Sequence, residues 1–320
     1  MSTSEPANVW PDLPFAQLLP TAETLRLFSQ IVGKVRMART PWINHSWHVT
    51  LRVSARGLLT PLMPGAGGGL SLEFDFVDHQ LVIRTTEGGE RRIALGGQSV
   101  ALFYAETMAA LQDLGAATEI DPIPSERPNP IAFPDDTAPA AYDPAMAAAF
   151  WRALVQIERV FLRFRSAFIG KNSPIQLFWG SFDLAVTRFS GRHAPLHPGG
   201  VPYMPDAVAQ EAYSHEESSA GFWPGGGGVQ TPAFYSYAYP APEGFSAAKV
   251  LPAAAHYDTA LGEFLLPYDA VRTAPDPDAA LLAFLQSTYE AAANLAGWDR
   301  AALECEEGVI GRPRAVPHSA

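Results

Sequence analysis

One stretch, Asn172 to Arg192 (NSPIQLFWGSFDLAVTRFSGR), constrains this chain more than any other. Phe178, Trp179, Phe182 and Phe189 are strong strand formers, yet Asp183, Arg188 and Arg192 are interleaved with them and Gly180 interrupts the run. Aromatic residues favour a pleated, half-buried surface, whereas ionised side chains are almost never buried without a partner. The mixture predicts a sheet strand running from an apolar core into a polar cleft.

Helical and strand periods alternate on either side of it. Thr21 reads as the cap of a helix carrying Leu25, Phe28, Val32 and Val35, which ends near Arg39 before Pro41. Trp47, Val49, Leu51 and Val53 share one face of a predicted strand, and Leu70, Leu72, Phe74 and Phe76 share one face of another. Gly88-Gly89 marks a hairpin turn, and Ser99 caps a helix closed by Gly115. Asp143-Pro144 opens a long helix with Phe150, Leu154, Ile157, Phe161 and Phe164. Tyr213 to Phe222, Phe234 to Tyr239 and Glu263 to Leu266 read as strands, and Asp276 caps a last helix ending at Gly297.

The order helix, strand meander, helix thus occurs twice. Phe103, Thr107, Ala110 and Leu114 align without gaps on Phe284, Thr288, Ala291 and Leu295, and Leu51-Arg52-Val53-Ser54 resembles Leu184-Ala185-Val186-Thr187. The expectation is an α+β protein of two pseudo-repeated lobes with antiparallel sheets, packed about a pseudo-twofold with a cleft at their junction. Its parts are a Pro-rich lead-in (1–20), an N-terminal lobe (21–121), a Pro/Asp-rich linker or surface belt (122–142), an enlarged C-terminal lobe (143–300) and a frayed tail (301–320).

A net charge of −11 argues against nucleic acid and anionic membranes as partners, and leaves a small molecule as the expected one. Cys305 is the only cysteine, which excludes an intramolecular disulfide and a cysteine-built metal site. No run approaches the roughly 20 apolar residues of a membrane span, and the N-terminus lacks the basic and apolar regions of a secretion signal. A cytoplasmic location is expected.

Polar clusters supply the candidate chemistry. His45 and His48 flank Trp47 three positions apart, suiting either a divalent metal held by histidine or one core and one surface histidine. His215-Glu216 sets an imidazole beside a carboxylate, which suits acid–base work or a plain surface turn. Asp183 and Arg188 suggest a buried pair, whereas Arg188 and Arg192 suggest a clamp for a substrate carboxylate or phosphate. Tyr235, Tyr237 and Tyr239 line one strand face and suit ligand stacking or inter-lobe packing.

The expected site therefore has His45, His48, Asp183, His215 and Glu216 as catalytic groups and Trp47, Trp179, Arg188, Arg192 and Trp223 as substrate-binding ones. Its activity would be acid–base or metal-assisted chemistry on a small polar or anionic metabolite, with a non-catalytic binding module as the alternative. A shared site requires both His45 and His48 within about 12 Å of His215, side chain to side chain, the span of one small ligand.

QIVGKVRMA, NHSWHV, DFVDH, FIGKNSPIQLFWGSFDLAVTRFSGR, EAYSHE, GFWPGGG and AFYSYAYPAPEGF, taken in one order, resemble an uncharacterised bacterial family described only as a domain of unknown function. The resemblance spans Trp10 to Ala302 and implies no activity, cofactor or catalytic residue.

Overall fold

The structure is a computed structural model, and it describes residues 9–65 and 67–314. Helix α1 (Phe15–Arg39) precedes β1 (Arg52–Val53), β2 (Gly57–Leu59), β3 (Met63–Pro64), β4 (Gly69–Asp75), β5 (Gln80–Thr85) and β6 (Glu90–Ala94), and α2 (Val100–Asp113) follows them. Helix α3 (Pro144–Ser166) then precedes β7 (Gln176–Phe178) and β8 (Asp183–His193). After α4 (Asp206–Ala212) come β9 (His215–Trp223), β10 (Ala233–Tyr239), β11 (His256–Asp258) and β12 (Glu263–Pro267). The last helices are α5 (Tyr268–Arg272), α6 (Pro277–Leu295) and α7 (Arg300–Leu303).

The fold is α+β, with two antiparallel sheets. One has the order β1–β2–β4–β5–β6, with β3 on β4; the other runs β11–β12–β10–β9–β8–β7. Their edge strands meet at a single antiparallel bridge, where Leu51 and Leu177 exchange backbone hydrogen bonds of 2.9 Å. Helix α1 packs against α2 and α3, and α3 against α6.

Alternation explains the first sheet. Leu70, Leu72 and Phe74 turn one face of β4 to the helices, and Phe103 of α2 lies between Phe74 and Phe28 of α1. Glu73 and Asp75 also stand on this strand, where they pair with Arg84 and Arg56 at the sheet's wet side. Ser99 caps α2, Asp143 caps α3 and Asp276 caps α6, as their sequence positions predict. Thr107 and Thr288, aligned in the two halves, are both buried and both donate to a phenylalanine carbonyl one turn back, at 2.7 and 2.9 Å.

Several expectations are corrected. Helix α1 begins at Phe15 and passes through Pro20, because Leu13 and Leu18 are buried in the core and Pro14 accepts the first helical bonds. Trp47 to Thr50 is a turn, not a strand, so only Arg52–Val53 remains of the predicted strand. The stretch around Gly180 is a hairpin: Phe178 pairs with Asp183, and Phe182 closes the turn with φ of 63°. Its first strand, β7, is an edge strand of its sheet, as β1 is of the other, whereas the Leu184–Thr187 segment lies in β8, one strand further in. The presumed tail is docked through Leu303 and Cys305, which bond to the backbone of Ala167, Ile169 and Gly170; residues 315–320 lie outside the described set. The 122–142 segment runs as a belt along α1, with Ser125 bonded to Gln30 in both directions and Phe133 buried.

Phe103→Ala is expected to destabilise the protein by about 3–5 kcal/mol, since it removes the ring joining α2, α1 and β4; urea denaturation measures it.

Candidate functional site

The second sheet has two unlike faces. Leu184 and Val186 of β8, Ala220 and Phe222 of β9, and Phe234 of β10 join the apolar core, with Phe150 of α3 against Phe182 and Phe222. The residues between them face a cavity of about 660 Å³. That volume is within the range of small-molecule sites. Its far side comes from the first half: Lys34 and Met37 of α1, the 42–49 turn and the belt residues Asp121, Ser125 and Glu126.

Register builds the floor. Ala185 lies beside Gly221, which lies beside Tyr235; Thr187 lies beside Ser219, which lies beside Tyr237. Four small residues thus make a low strip, walled by Asp183 and Trp223 at one end and by Phe189 and Glu217 at the other. Thr187 and Ser219 share a hydroxyl hydrogen bond of 2.9 Å on the floor.

The two tyrosines lie nearly parallel, with ring planes 14° apart, and each reaches a carboxyl group. Tyr235 crosses β9 and donates to Asp183, which also accepts from Ser181. Only glycine permits that crossing, because a Cβ at Gly221 would stand 2.3 Å from the Tyr235 hydroxyl. Tyr237 bonds to Glu217 and shares a 3.1 Å hydroxyl contact with Tyr213. Likewise a Cβ at Gly180 would stand 1.8 Å from Glu126 Oε1, so the missing side chain seats that carboxyl group.

Burial controls the protonation of these acids. Glu217 is pushed up to about 8 by loss of water, despite the opposing Tyr237 bond and Lys171 charge. Glu126 rises to about 7 through burial and the like charge of Asp183, against the pull of Arg26. Glu263 rises to about 7 through burial, Asp183 and Asp258. Asp183, fully enclosed, is also raised by burial, and its three hydrogen-bond donors oppose the shift.

The 42–49 turn is pinned from three sides. Arg36 donates to the His48 and Thr50 carbonyls, Trp179 Nε1 donates to the Val49 carbonyl at 2.8 Å, and Glu211 accepts the His45 amide at 3.0 and 3.1 Å. The His45 ring lies between Nδ1···Ala212 O at 2.6 Å and Nε2···Lys171 Nζ at 2.5 Å. A carbonyl at Nδ1 and an ammonium at Nε2 select the neutral Nδ1–H tautomer, and burial lowers its affinity for a second proton. The Lys171 ammonium lies 4.6 Å from the Phe189 ring centre and 5.5 Å from that of Trp47.

Of the residues expected here, His45, Trp47, Trp179, Asp183 and Trp223 line the cavity. The His215 ring stands 5.8 Å from that of His45, within the expected span for that pair, although neither His215 nor His48 lines the cavity. His48 turns away, its Nδ1 against the Ile43 backbone and its ring against Trp42, because the turn at His45 and Ser46 (φ 58° and 55°) sends the two histidines apart. Arg188 is on the opposite sheet face, an odd number of residues from Asp183, so no Asp183–Arg188 pair exists. Its guanidinium lies 3.5 Å from the Phe164 ring centre, donates to the Phe164 carbonyl and is no clamp for a cavity ligand. Arg192 and Glu216 pair with each other at 2.7 Å outside the cavity, with the arginine half exposed. Among the described residues no three His, Cys, Asp or Glu side chains are grouped to hold a metal ion, and both ring nitrogens of His45 are engaged.

Sequence reasoning missed Glu126, Glu217 and Glu263. Glu217 was within reach: on a strand it shares a face with His215, whereas Glu216 points the other way. Glu126 carried no such signal, since it comes from an irregular belt.

Gly221→Ala is expected to cost about 1–3 kcal/mol by forcing Tyr235 off Asp183, measured by denaturant titration. A carboxyl group whose pKa is raised on folding binds more protons folded than unfolded. Its stabilising contribution is therefore complete below 4.5 and is lost as pH rises through its folded value, about 7 for Glu126 and Glu263 and about 8 for Glu217. Melting temperature should fall between pH 5 and 9 (roughly the window these shifts span), and Glu217→Gln should flatten the alkaline part of that fall.

No curated protein and no solved structure is detectably similar to the chain. A family model described as "Family of unknown function (DUF5996)" matches residues 10–305. Nearly the whole described chain lies within that match, and the protein belongs to this family of unknown function.

Proposed function

We propose that the chain is an enzyme that acts on a small polar molecule by general acid–base catalysis in this cavity. One observation carries the reading: two phenol–carboxyl pairs, Tyr235–Asp183 and Tyr237–Glu217, stand on adjacent strands over a floor of small residues. A carboxyl group held near neutrality exchanges a proton with substrate efficiently at working pH, and burial gives Glu217 that property. Glu217 is the proton carrier in this reading, and Asp183, held by Ser181 and Tyr235, is its fixed counterpart. The aromatic walls would orient substrate and exclude water. The arginines expected to clamp an anion lie elsewhere, so the substrate is polar rather than anionic.

The reading agrees with a cytoplasmic protein that has a small molecule as its partner. A single cysteine and a net charge of −11 suit it, and no helix among the described residues is long and apolar enough to cross a membrane. We also propose an ancient internal duplication. The repeated element order, the edge-to-edge meeting of β1 and β7, and the matched Phe103/Phe284 and Thr107/Thr288 pairs support it. Superposition of residues 15–113 on 144–295 would test it, and failure of the sheets to overlay would end it.

Depletion of a metabolite from a complex mixture by the wild type, but not by Glu217→Gln, is the decisive experiment. Glu217→Gln should lower kcat/KM by about 10²–10⁴. The wild-type profile should turn over near pH 8 as Glu217 titrates. An unchanged rate and profile in the folded variant would remove Glu217 from the chemistry.

A further inference from the structure

Charge in the cavity is one-sided. Asp121, Glu126, Asp183, Glu217 and Glu263 line it, against Lys34 and the neutral His45. Lys34 is already spent on Asp121 at 3.2 Å and on the Ile123 carbonyl at 2.6 Å. Arg26, whose charge acts on Asp183 and Glu126, is already committed, donating to the backbone carbonyls of Gly180 and Glu126 at 2.7 and 3.0 Å and pairing with Glu23 outside the cavity at 3.9 Å. Ser46, only 9% exposed on the wall, has a hydroxyl with no hydrogen-bond partner. Trp179, Trp223 and Tyr235 line the Asp183 end.

We infer that the cavity takes a small organic cation, an amine or quaternary ammonium, seated between the Trp179 and Trp223 side chains and the carboxyl groups of Glu126, Asp183 and Glu263, with the Ser46 hydroxyl serving the ligand's polar part. The inference deepens the proposed function by naming the substrate class of the same site. Ring faces attract a desolvated cation through the negative potential of the π system. The structure already contains the same interaction at the opposite end, where the Lys171 ammonium lies over Phe189 and Trp47. An anion would find no uncommitted cation among the described lining residues and would hold the surrounding carboxyl groups in their protonated form. A neutral polyol would find hydrogen bonds but would not favour ionisation of the carboxyl groups.

A cation also changes the protonation of its site. Asp183 faces Glu126, Glu263 and Arg26, with Tyr235 and Ser181 bonded to it; Arg26 also acts on Glu126, and Asp258 on Glu263. Around Glu217 stand Lys171, Tyr213 and Tyr237, with Glu211, His45 and His215 beyond Lys171. Carboxyl groups held protonated by burial and by one another ionise when a positive charge arrives, so binding expels protons.

Titration calorimetry with choline, benzyltrimethylammonium and spermidine tests this, using the carbon isostere of choline (tert-butyl in place of trimethylammonium) and a methyl glucoside as neutral controls. At least one cation should bind with Kd below ~1 mM while both neutral probes bind at least tenfold more weakly. Its affinity should rise by up to about tenfold per pH unit below pH 7, near which Glu126 and Glu263 titrate in the free protein, and level off above it, with a heat that depends on the buffer's ionisation enthalpy. Glu126→Gln and Glu263→Gln keep shape and remove a buried charge, so they should stay folded by circular dichroism and weaken the cation about tenfold. Trp223→Leu should do the same without altering the proton count. Equal binding of the isostere, binding of the glucoside alone, or no cation binding below that limit would overturn the inference. Metabolite depletion that depends on Glu217 would then still stand. Conversely, cation binding without any depletion would leave the ligand class intact and remove the enzyme reading.

Discussion

The second sheet must satisfy opposite demands on its two faces, and the two-residue period of a strand keeps them apart. One face packs against α3 and α6, where even the Arg188 guanidinium is sandwiched by Phe164 and Tyr289. The other presents hydroxyl, phenol and carboxyl groups to a cavity. A register slip of one residue would drive Asp183 and Glu217 into the core and empty the cavity wall. Seven consecutive rungs between β9 and β10 hold the alignment.

Helix α1 joins this arrangement to the first half. Phe28 stacks on Phe103 at 3.9 Å within the first half's core, while Gly33 lies against the Trp179 indole and Lys34 and Met37 reach the cavity. Arg36 fastens the turn that carries His45. The first half is therefore not a separate unit beside the site. It supplies the lid side of the cavity, the belt that carries Glu126 and the helix on which both rest.

Conformational strain is concentrated in the same place. Among the described residues with positive φ that are not glycine, His45, Ser46, Glu126 and Tyr203 line the cavity and Phe182 adjoins Asp183. Each such residue costs of order 1–3 kcal/mol, and burying an unpaired carboxylate costs several more. These costs persist only where the surrounding packing over-determines the backbone. The paired tyrosines, the seat for Glu126 at Gly180 and the crossing at Gly221 are the compensating contacts, and they fit a cavity kept ready for a ligand.

Elements, caps and class were legible in the sequence because they depend on local physics. Ser99, Asp143 and Asp276 satisfy amides within their own first turns, and apolar residues at helical or two-residue spacing disclose which side is buried. Trp47, Trp179, Trp223 and Asp183, which line the cavity, stood out in the sequence as aromatic and acidic residues set close together, although Trp47 lies in a turn and not on the expected strand. Whether Gly180 interrupts a strand or turns a hairpin depended on Phe178 pairing with Asp183, a contact outside any local rule. Alternation alone separated Glu217 from Glu216, but which of the two faces the cavity, and that Arg188 does not, required the strand's true phase in its sheet. Glu126 required the tertiary structure altogether, since only the path of the belt over α1 brings it to Asp183. Its carboxyl group acquires its altered proton affinity from water excluded by both halves together, a property no single segment possesses.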